Sequence, residues 1–188
     1  MKLLNISLVI PSNASNKDLE LFFYNVETWS CLPREIIIIN TKKNKQKIGK
    51  FFVNFFLTNK VTLKNIHKPN LYPGAARNIG IKNCNFKIIS LLDVGTHARF
   101  DWLENGYNKI LNNKSLIIWG NTYYVAITNK DQIIRASTYG KKPIQTLPGS
   151  ILYKSVFNII GVFLHNIRAG EDAEWMHRVR LHNIKCSK

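Results

Sequence analysis

Apolar runs and helical repeats alternate along this chain and predict an α/β fold. Short, almost continuous apolar runs predict strands buried on both faces, because such runs are too short to form lone helices. The predicted strands are residues 5–11, 35–39, 60–66, 86–95 and 115–119. Apolar residues three and four positions apart predict helices at 17–30, 74–83, 101–112 and 171–182, with one more around Phe51–Phe56. This order predicts a doubly wound, mostly parallel central sheet with helices on both faces.

The second half of the chain has a less regular pattern. Looser alternation over residues 122–136 predicts an antiparallel pair of strands that turns at 129–131. Residues 143–150 are expected to form a loop, and 151–164 a short strand and a helix. With 188 residues and no linker or repeat, the chain is expected to form a single domain over 1–188.

A net charge of +16 is the strongest signal in the composition. Such a charge suits nucleic acid, an anionic membrane or a phosphate-bearing substrate, but biased composition and solubility explain it equally well, since only residues 42–47 are densely basic. We find no basic recognition helix and no basic motif interleaved with aromatic residues, so nucleic acid is not an expected partner. Peripheral attachment to anionic membrane lipid is a milder use of the same charge.

The sequence gives no sign of secretion or of a membrane span. No apolar run reaches the ~20 residues that cross a bilayer, and residues 1–4 do not begin a signal peptide. Three widely separated cysteines form neither a disulfide framework nor a metal cluster. We therefore expect a cytoplasmic protein.

Asp93 ends the central predicted strand and is the first candidate for chemistry. Open α/β sheets bind ligands at the carboxyl ends of their strands, and a carboxylate there can hold Mg²⁺ together with substrate phosphates. A structural alternative has equal weight, because Asp is common in turns that follow strands. The Gly-rich dinucleotide fingerprint is absent after the first strand, and the histidines lack metal-binding spacing.

Further candidates lie at helix starts. Arg77 is in the first turns of its predicted helix and can face a phosphate or simply be solvated. Glu171 and Asp172 open the last helix, where the helix dipole alone favours acids, but a carboxylate there can also act as a general base. Trp119 and Trp175 can pack in the core or stack on a sugar or base, with the core favoured for Trp175.

Together these segments resemble the family 2 glycosyltransferases of the GT-A fold over nearly the whole chain. Residues 6–11 and 33–39 are similar to the opening strands of that family, and 73–80 (Pro-Gly-Ala-Ala-Arg-Asn-Ile-Gly) to its Ala-Arg-Asn-x-Gly helix. Residues 91–95 (Leu-Leu-Asp-Val-Gly) stand where the family has Asp-x-Asp. Residues 101–104, 147–150 and 170–175 resemble the segment that follows, the acceptor-side loop and the Glu-Asp motif.

The resemblance implies an inverting transferase that moves a sugar from a nucleoside diphosphate to an acceptor hydroxyl, in polysaccharide or glycolipid synthesis. The acceptor would be a saccharide or a lipid-linked molecule, and the cofactor Mn²⁺ or Mg²⁺ at Asp93. Asp172 would be the catalytic base. Residues about 1–97 would bind the nucleotide and about 98–188 the acceptor. The donor side would comprise Pro11, Ser12, Asn13, Asn40, Arg77, Asp93 and Gly95, and the acceptor side Trp119, Gly149, Ser150 and Glu171.

Two positions depart from the family pattern. Asn40 stands where the second strand usually ends in Asp, and it keeps hydrogen-bonding capacity toward a base or ribose without the charge. Gly95 replaces the second acid of Asp-x-Asp, leaving Asp93 and the neutral hydroxyl of Thr96. These departures leave open a non-catalytic relative that only binds nucleotide sugar. The chain also ends soon after Asp172, where many relatives continue with more acceptor-binding structure, which leaves two interpretations open, a C-terminally shortened domain and a minimal transferase.

Overall fold

Seven strands form one mixed sheet in the computed structural model, which describes residues 1–187. In spatial order they are β3, β2, β1, β4, β6, β5 and β7. Strand β6 runs antiparallel between β4 and β5, and the other pairs are parallel. The strands are β1 Lys2–Ser12, β2 Cys31–Asn40, β3 Thr62–His67, β4 Ile88–Leu91, β5 Ile117–Thr122, β6 Ile144–Tyr153 and β7 Cys186–Ser187.

Helices cover both faces of this sheet, as the sequence predicted. They are α1 Asn16–Glu27, α2 Lys50–Thr58, α3 Pro73–Lys82, α4 Trp102–Asn112, α5 Asn129–Ile134, α6 Val156–Ile160 and α7 Glu171–Leu181. Apolar side chains of α1, α2 and α4 pack in one hydrophobic cluster, and those of α3, α6 and α7 in a second. None of the helices within residues 1–187 combines the length and apolar content needed to cross a bilayer.

The central strands supply both clusters because successive side chains point to opposite faces. Leu8 and Ile10 of β1 pack on the first cluster, while Val9 between them packs on the second. Ile36 and Ile37 of β2 divide in the same way. Burial on both faces explains why these strands are almost continuously apolar, and the predicted α/β architecture is confirmed.

The strand order reverses at β1 and opens a crevice there. From β1 the chain proceeds outward to β2 and β3, and it then returns to β4 on the other side of β1. Adjacent connections therefore diverge above the carboxyl ends of β1 and β4, where open α/β sheets bind ligands. Asp93 directly follows β4, so this edge is where the site is expected.

Three predictions about the second half were wrong or incomplete. The expected antiparallel pair at 122–136 is instead an irregular stretch, helix α5 and a π-helical turn, Arg135–Tyr139, with Thr128 and Asp131 forming a capping box at the start of α5. The expected loop at 143–150 belongs to strand β6, because Pro148 and Gly149 interrupt the apolar pattern without ending the strand. Strand β7 was not predicted, since two residues are too few to show a pattern.

Candidate functional site

A cavity of about 490 Å³ lies at the carboxyl edge of β1. The sequence-predicted residues Pro11, Ser12, Asn13, Arg77 and Asp93 lie in its wall together, although they come from three distant segments. The remaining lining residues are Thr41, Lys43, Asn70, Leu71, Tyr72, Pro73, Ala76 and Arg168. Three cationic side chains and one carboxylate thus surround a space that suits an anionic ligand.

Helix α3 packs beside the cavity through two close contacts that only glycine permits. A Cβ on Gly74 would lie 2.0 Å from the Leu164 carbonyl oxygen, and one on Gly80 would lie 2.3 Å from Cγ1 of Val9. Pro73 occupies the first turn, where its missing N–H costs nothing. The helix therefore packs tightly on β1 and on the segment before α7, and this position directs Arg77 toward the site.

Arg77 bridges carboxylates from two separate elements. Its Nη2 donates to both oxygens of Asp93, at 3.0 and 3.3 Å, and its Nη1 donates to Oε1 of Glu171. Arg77 is 5% exposed and Glu171 4%. Burial lowers the pKa of Arg77, but the charges of Asp93 and Glu171 outweigh burial and raise it above its ordinary value. The guanidinium therefore stays charged and joins β4 to α7.

Asn78, next to Arg77, fixes the segment that precedes α7. Its side-chain amide donates to the carbonyl of Phe163 at 2.8 Å and accepts from the N–H of Phe163 at 3.0 Å. The guanidinium of Arg77 also lies 5.9 Å from the centre of the Phe163 ring. These contacts hold the start of the stretch that carries Arg168 into the cavity wall.

The loop after β4 is attached to α1. The Asn25 side chain accepts from the N–H of Ala98 at 2.9 Å and donates to its carbonyl at 3.0 Å. The Asp93 carbonyl accepts from the N–H of Thr96 at 2.9 Å, which tightens the turn. The Asp93 side chain is 38% exposed. Gly95 is exposed, and a Cβ built there meets no atom within 4 Å.

Two buried polar groups at the ends of β1 and β2 have no hydrogen-bond partner. Ser12 and Asn40 are paired in the sheet register, and both are buried. The Asn40 Oδ1 accepts from the N–H of Lys42 at 3.1 Å. The Asn40 Nδ2 and the Ser12 Oγ have no hydrogen-bond partner. Buried polar groups are rarely unsatisfied, so a bound ligand or water is expected to use them. Ser12 lines the cavity, whereas Asn40 is not among the lining residues.

Comparison with known proteins identifies the family. The model of "Glycosyl transferase family 2" matches residues 7–168, which is most of the chain. The chain belongs to glycosyl transferase family 2. No curated protein matches it in sequence.

Solved structures agree with this family 2 assignment at the level of fold. Similar structures include residues 1–349 of TarS from S. aureus, with a TM-score of 0.67 at 17% identity and with 100% of this chain and 57% of that one covered. The same TarS residues solved with UDP-GlcNAc give a TM-score of 0.66 at 17% identity, with 100% of this chain and 55% of that one covered. The mannosyltransferase PcManGT from Pyrobaculum calidifontis, in complex with GDP-Man and Mn²⁺, has a TM-score of 0.65 at 9% identity, with 98% of this chain and 54% of that one covered. The chain spans a little over half the length of these solved chains and 35% of the longer solved chain of TarS. It adopts the GT-A fold predicted from its sequence.

In this family 2 chain, the predicted catalytic base lies beside the ion pair. Glu171 and Asp172 are the first residues of α7, and the buried Glu171 faces Arg77. Asp172 is half-buried, and its carboxylate accepts from the N–H of Ala173 at 2.8 Å. Asp172 is not among the residues that line the cavity, so its role as base stays a prediction.

The predicted acceptor-side residues of β5 and β6 lie in the sheet. Gly149 and Ser150 belong to β6, where Ser150 is buried and pairs with Leu91 of β4. Trp119 is 6% exposed and packs edge-to-face on Trp175 at 6.3 Å between ring centroids. It lines a separate hollow of about 290 Å³ near the described end of the chain. The structure therefore does not bring Trp119 to the Asp93 cavity.

Sequence reasoning missed several residues of the cavity wall. Lys43 was noted only as part of the densely basic run 42–47, and Arg168 and Tyr72 received no role. Arg168 lies just before the Gly-Glu-Asp motif, and its position next to that motif was the available signal. Lys43 gave no signal beyond its charge, because nothing in the sequence shows which lysine of the 42–47 run faces inward.

Proposed function

We propose that this chain is the donor-binding and catalytic part of an inverting glycosyltransferase. It transfers a sugar from a nucleoside diphosphate to a hydroxyl of a saccharide or lipid-linked acceptor, in polysaccharide or glycolipid synthesis. The carrying observation is the cavity itself, because it collects Ser12, Arg77, Asp93 and Arg168 at the switch point of the sheet. The nucleotide sugars named in the similar structures support a donor of this class.

In the proposed reaction Asp172 takes the proton of the acceptor hydroxyl. The acceptor oxygen bonds to the anomeric carbon while the bond from that carbon to the diphosphate oxygen breaks, and the electron pair leaves with the diphosphate. Attack opposite the leaving group inverts the configuration, through an oxocarbenium-like transition state. Proximity of α7 to the cavity supports this role, since Glu171 next to Asp172 is ion-paired to a residue of the cavity wall.

The cationic residues stabilise the departing diphosphate in this proposal. Lys43 and Arg168 are exposed at the cavity wall and are available to an anionic ligand. Arg77 has a different task, because Asp93 and Glu171 already neutralise it. It holds Asp93 and the start of α7 in fixed relative positions, and preorganisation of this kind lowers the cost of reaching the transition state.

The residues fit a divalent cation only if the substrate completes its coordination. Within residues 1–187, no group of three or more His, Cys, Asp or Glu side chains could hold a metal ion. Asp93 is partly exposed and supplies one carboxylate, and Mg²⁺ is often bound by one carboxylate plus substrate phosphates. Asp93 would thus hold Mn²⁺ or Mg²⁺ against the diphosphate, where the cation neutralises developing charge.

A thermal-shift assay with UDP, GDP, CDP and dTDP, each with Mn²⁺, tests donor binding. A diphosphate at about 100 times its Kd adds about 2.7 kcal/mol to the free energy of unfolding, which raises the Tm of a chain this size by about 5–10 °C. Arg168→Ala is expected to lose at least half of that shift. The matched control is Arg180→Ala, at the far end of α7, which should keep it. A Tm unchanged by all four diphosphates would contradict the proposal.

A second candidate is a non-catalytic relative that binds nucleotide sugar. The open space at Gly95 favours it, since the second acid of the family motif is missing there. Both candidates predict the thermal shift, but only a transferase releases nucleoside diphosphate from its donor in the presence of an acceptor. Acceptor-dependent release, followed by a coupled assay for the diphosphate, separates the two.

A further inference from the structure

The connection between β5 and β6 stands apart from both hydrophobic clusters. No residue from 121 to 146 is buried. Even so, the connection contains large apolar side chains that face solvent, namely Tyr123 (66% exposed), Val125 (60%), Ile127 (85%) and Ile133 (70%). Exposed apolar residues concentrated in one segment indicate an interaction surface.

The apolar face of this connection is held in place by contacts on its other side. Tyr123, Val125 and Ile127 alternate outward, while Tyr124 between them stacks on Tyr139 at 4.9 Å. The Tyr124 hydroxyl donates to Asp131 at 3.5 Å, and Asp131 also caps α5. The outward side chains therefore belong to a structured face that is apolar where solvent-facing residues are usually polar.

The same connection is basic. It contains Lys130, Arg135, Lys141 and Lys142, against one acid, Asp131, whose carboxylate already accepts hydrogen bonds from Thr128. A surface that mixes apolar and cationic side chains matches the boundary between headgroups and acyl chains in an anionic bilayer. The core of a protein–protein interface is, in contrast, depleted in lysine.

The topology places this face at the edge of the sheet that carries the cavity. Strand β6 is antiparallel to both β4 and β5, so β4 and β5 point the same way. The connection leaves the carboxyl end of β5, and Asp93 follows the carboxyl end of β4. A membrane bound by this connection would thus lie on the cavity side of the molecule.

We propose that residues 123–142 dock the chain on an anionic lipid bilayer. Tyr123, Val125, Ile127 and Ile133 insert at the depth of the headgroups, while Lys141 and Lys142 contact lipid phosphates. This proposal rests on the proposed function in one respect: docking on this side would bring the cavity to a lipid-linked acceptor. The surface itself follows from exposure, charge and topology.

Co-sedimentation tests the docking with vesicles of phosphatidylcholine alone or mixed equally with phosphatidylglycerol. We expect binding to the anionic vesicles and little to the neutral ones. Ile127→Glu should lower the affinity at least about tenfold, because one buried apolar side chain is lost. The pair Lys141→Gln and Lys142→Gln should lower it about 25-fold, at about fivefold per lysine.

Matched controls come from other exposed regions of the chain. Leu57→Glu removes an apolar side chain of α2 that is 74% exposed, and Lys82→Gln with Lys87→Gln removes two exposed lysines that precede the amino end of β4, at the edge of the sheet opposite the cavity. Each should change vesicle affinity less than about twofold. Equal losses in control and test variants would mean diffuse attraction by the net charge and would overturn the proposal. So would an absence of binding to anionic vesicles at low salt.

Two further measurements distinguish the remaining outcomes. Sedimentation velocity without lipid detects a second copy: if the chain forms a dimer that Ile127→Glu dissociates while vesicle binding stays, the face is a protein interface and the proposal fails. The Tm shift with nucleoside diphosphate is measured on the same variants. If the variants lose vesicle binding but keep the Tm shift, docking is supported. If the wild type binds vesicles but shows no Tm shift with any nucleoside diphosphate, only the proposed function is overturned.

Discussion

Arg77 connects two carboxylates that come from distant parts of the chain, and it is almost fully buried. Asp93 is partly exposed and can be solvated, but Glu171 cannot, since it is 4% exposed. The contribution of this arrangement to the free energy of unfolding therefore depends mainly on the buried pair of Arg77 and Glu171. A buried carboxylate that loses its cation is strongly destabilising, because water does not replace the lost partner.

Arg77→Met is expected to lower the free energy of unfolding by about 3–5 kcal/mol, because Glu171 is left buried and unpaired. At about 2–4 °C per kcal/mol, the Tm should fall by roughly 6–20 °C. Adding Glu171→Gln should recover part of the loss, which a double-mutant cycle in urea measures. The surface pair provides a control, since Arg99→Met removes only an exposed contact to Asp101. If Arg77→Met lowered the free energy of unfolding no more than Arg99→Met does, the buried pair would contribute nothing to stability.

Asp172→Asn tests the base without disturbing the fold. The side chain keeps its size and its place at the start of α7, so the Tm and the nucleotide-induced shift should stay close to those of the wild type. Turnover should fall about 10²–10⁴-fold if Asp172 accepts the proton. Glu174→Gln is the matched control, because Glu174 lies in the same helical turn but pairs with Arg178. Equal turnover in wild type and Asp172→Asn would exclude this residue as the base.

At the scale of secondary-structure elements, Glu35 joins several strands at the end of the sheet opposite the cavity. It accepts from Ser7 Oγ of β1 at 2.5 Å, from the N–H of Asn85 at 2.9 Å and from Lys64 of β3, whose Nζ is 2.6 Å away. Burial raises the pKa of Glu35, but the Asn85, Lys64 and Ser7 contacts together lower it below its ordinary value. The ionised form is thus favoured in the folded chain.

Glu35→Gln is expected to cost roughly 1–3 kcal/mol of unfolding free energy at pH 7. The pKa of Glu35 is lower in the folded chain than its ordinary value of 4.5, so its contribution is complete above that value. It disappears as the pH falls through the lower, folded value, and the difference between wild type and variant should shrink there. Urea unfolding at pH 7 and in the acid range measures this. Glu104→Gln, which loses an exposed pair with Lys2, should cost much less.

Local patterns predicted most elements, and the exceptions share a physical cause. Continuous burial made β1, β2 and β4 readable, and the same strands brought Ser12 and Asp93 to one edge. The Arg77–Glu171 pair spans 94 positions, so no local pattern encodes it. Strand β6 was hidden by turn-forming residues, and the connection before it contains apolar residues that face solvent. A pattern method assigns such residues to a core and therefore predicts strands there.

At the scale of the whole molecule, ligand binding reports on the charge balance of the cavity. The wall provides several cations and one partly exposed carboxylate, so a diphosphate has favourable contacts while a free divalent cation has few. The cation and the diphosphate should therefore bind cooperatively, each supplying the charge that the other needs. Binding linkage converts this cooperativity into global stability, which the Tm reports.

Mn²⁺ alone should leave the Tm of the wild type unchanged, a nucleoside diphosphate alone should raise it, and both together should raise it by more than the sum.

Gly95→Asp places a second carboxylate in open space, where a Cβ meets no atom within 4 Å. This variant should gain a measurable shift with Mn²⁺ alone and lose affinity for the metal-free diphosphate, because its added charge repels the phosphates. Gly95→Asn, of similar size but neutral, should do neither. If Mn²⁺ alone raised the Tm of the wild type, ligands other than the diphosphate would complete the metal site. If Gly95→Asp and Gly95→Asn showed the same Tm shifts, position 95 would not face the cation.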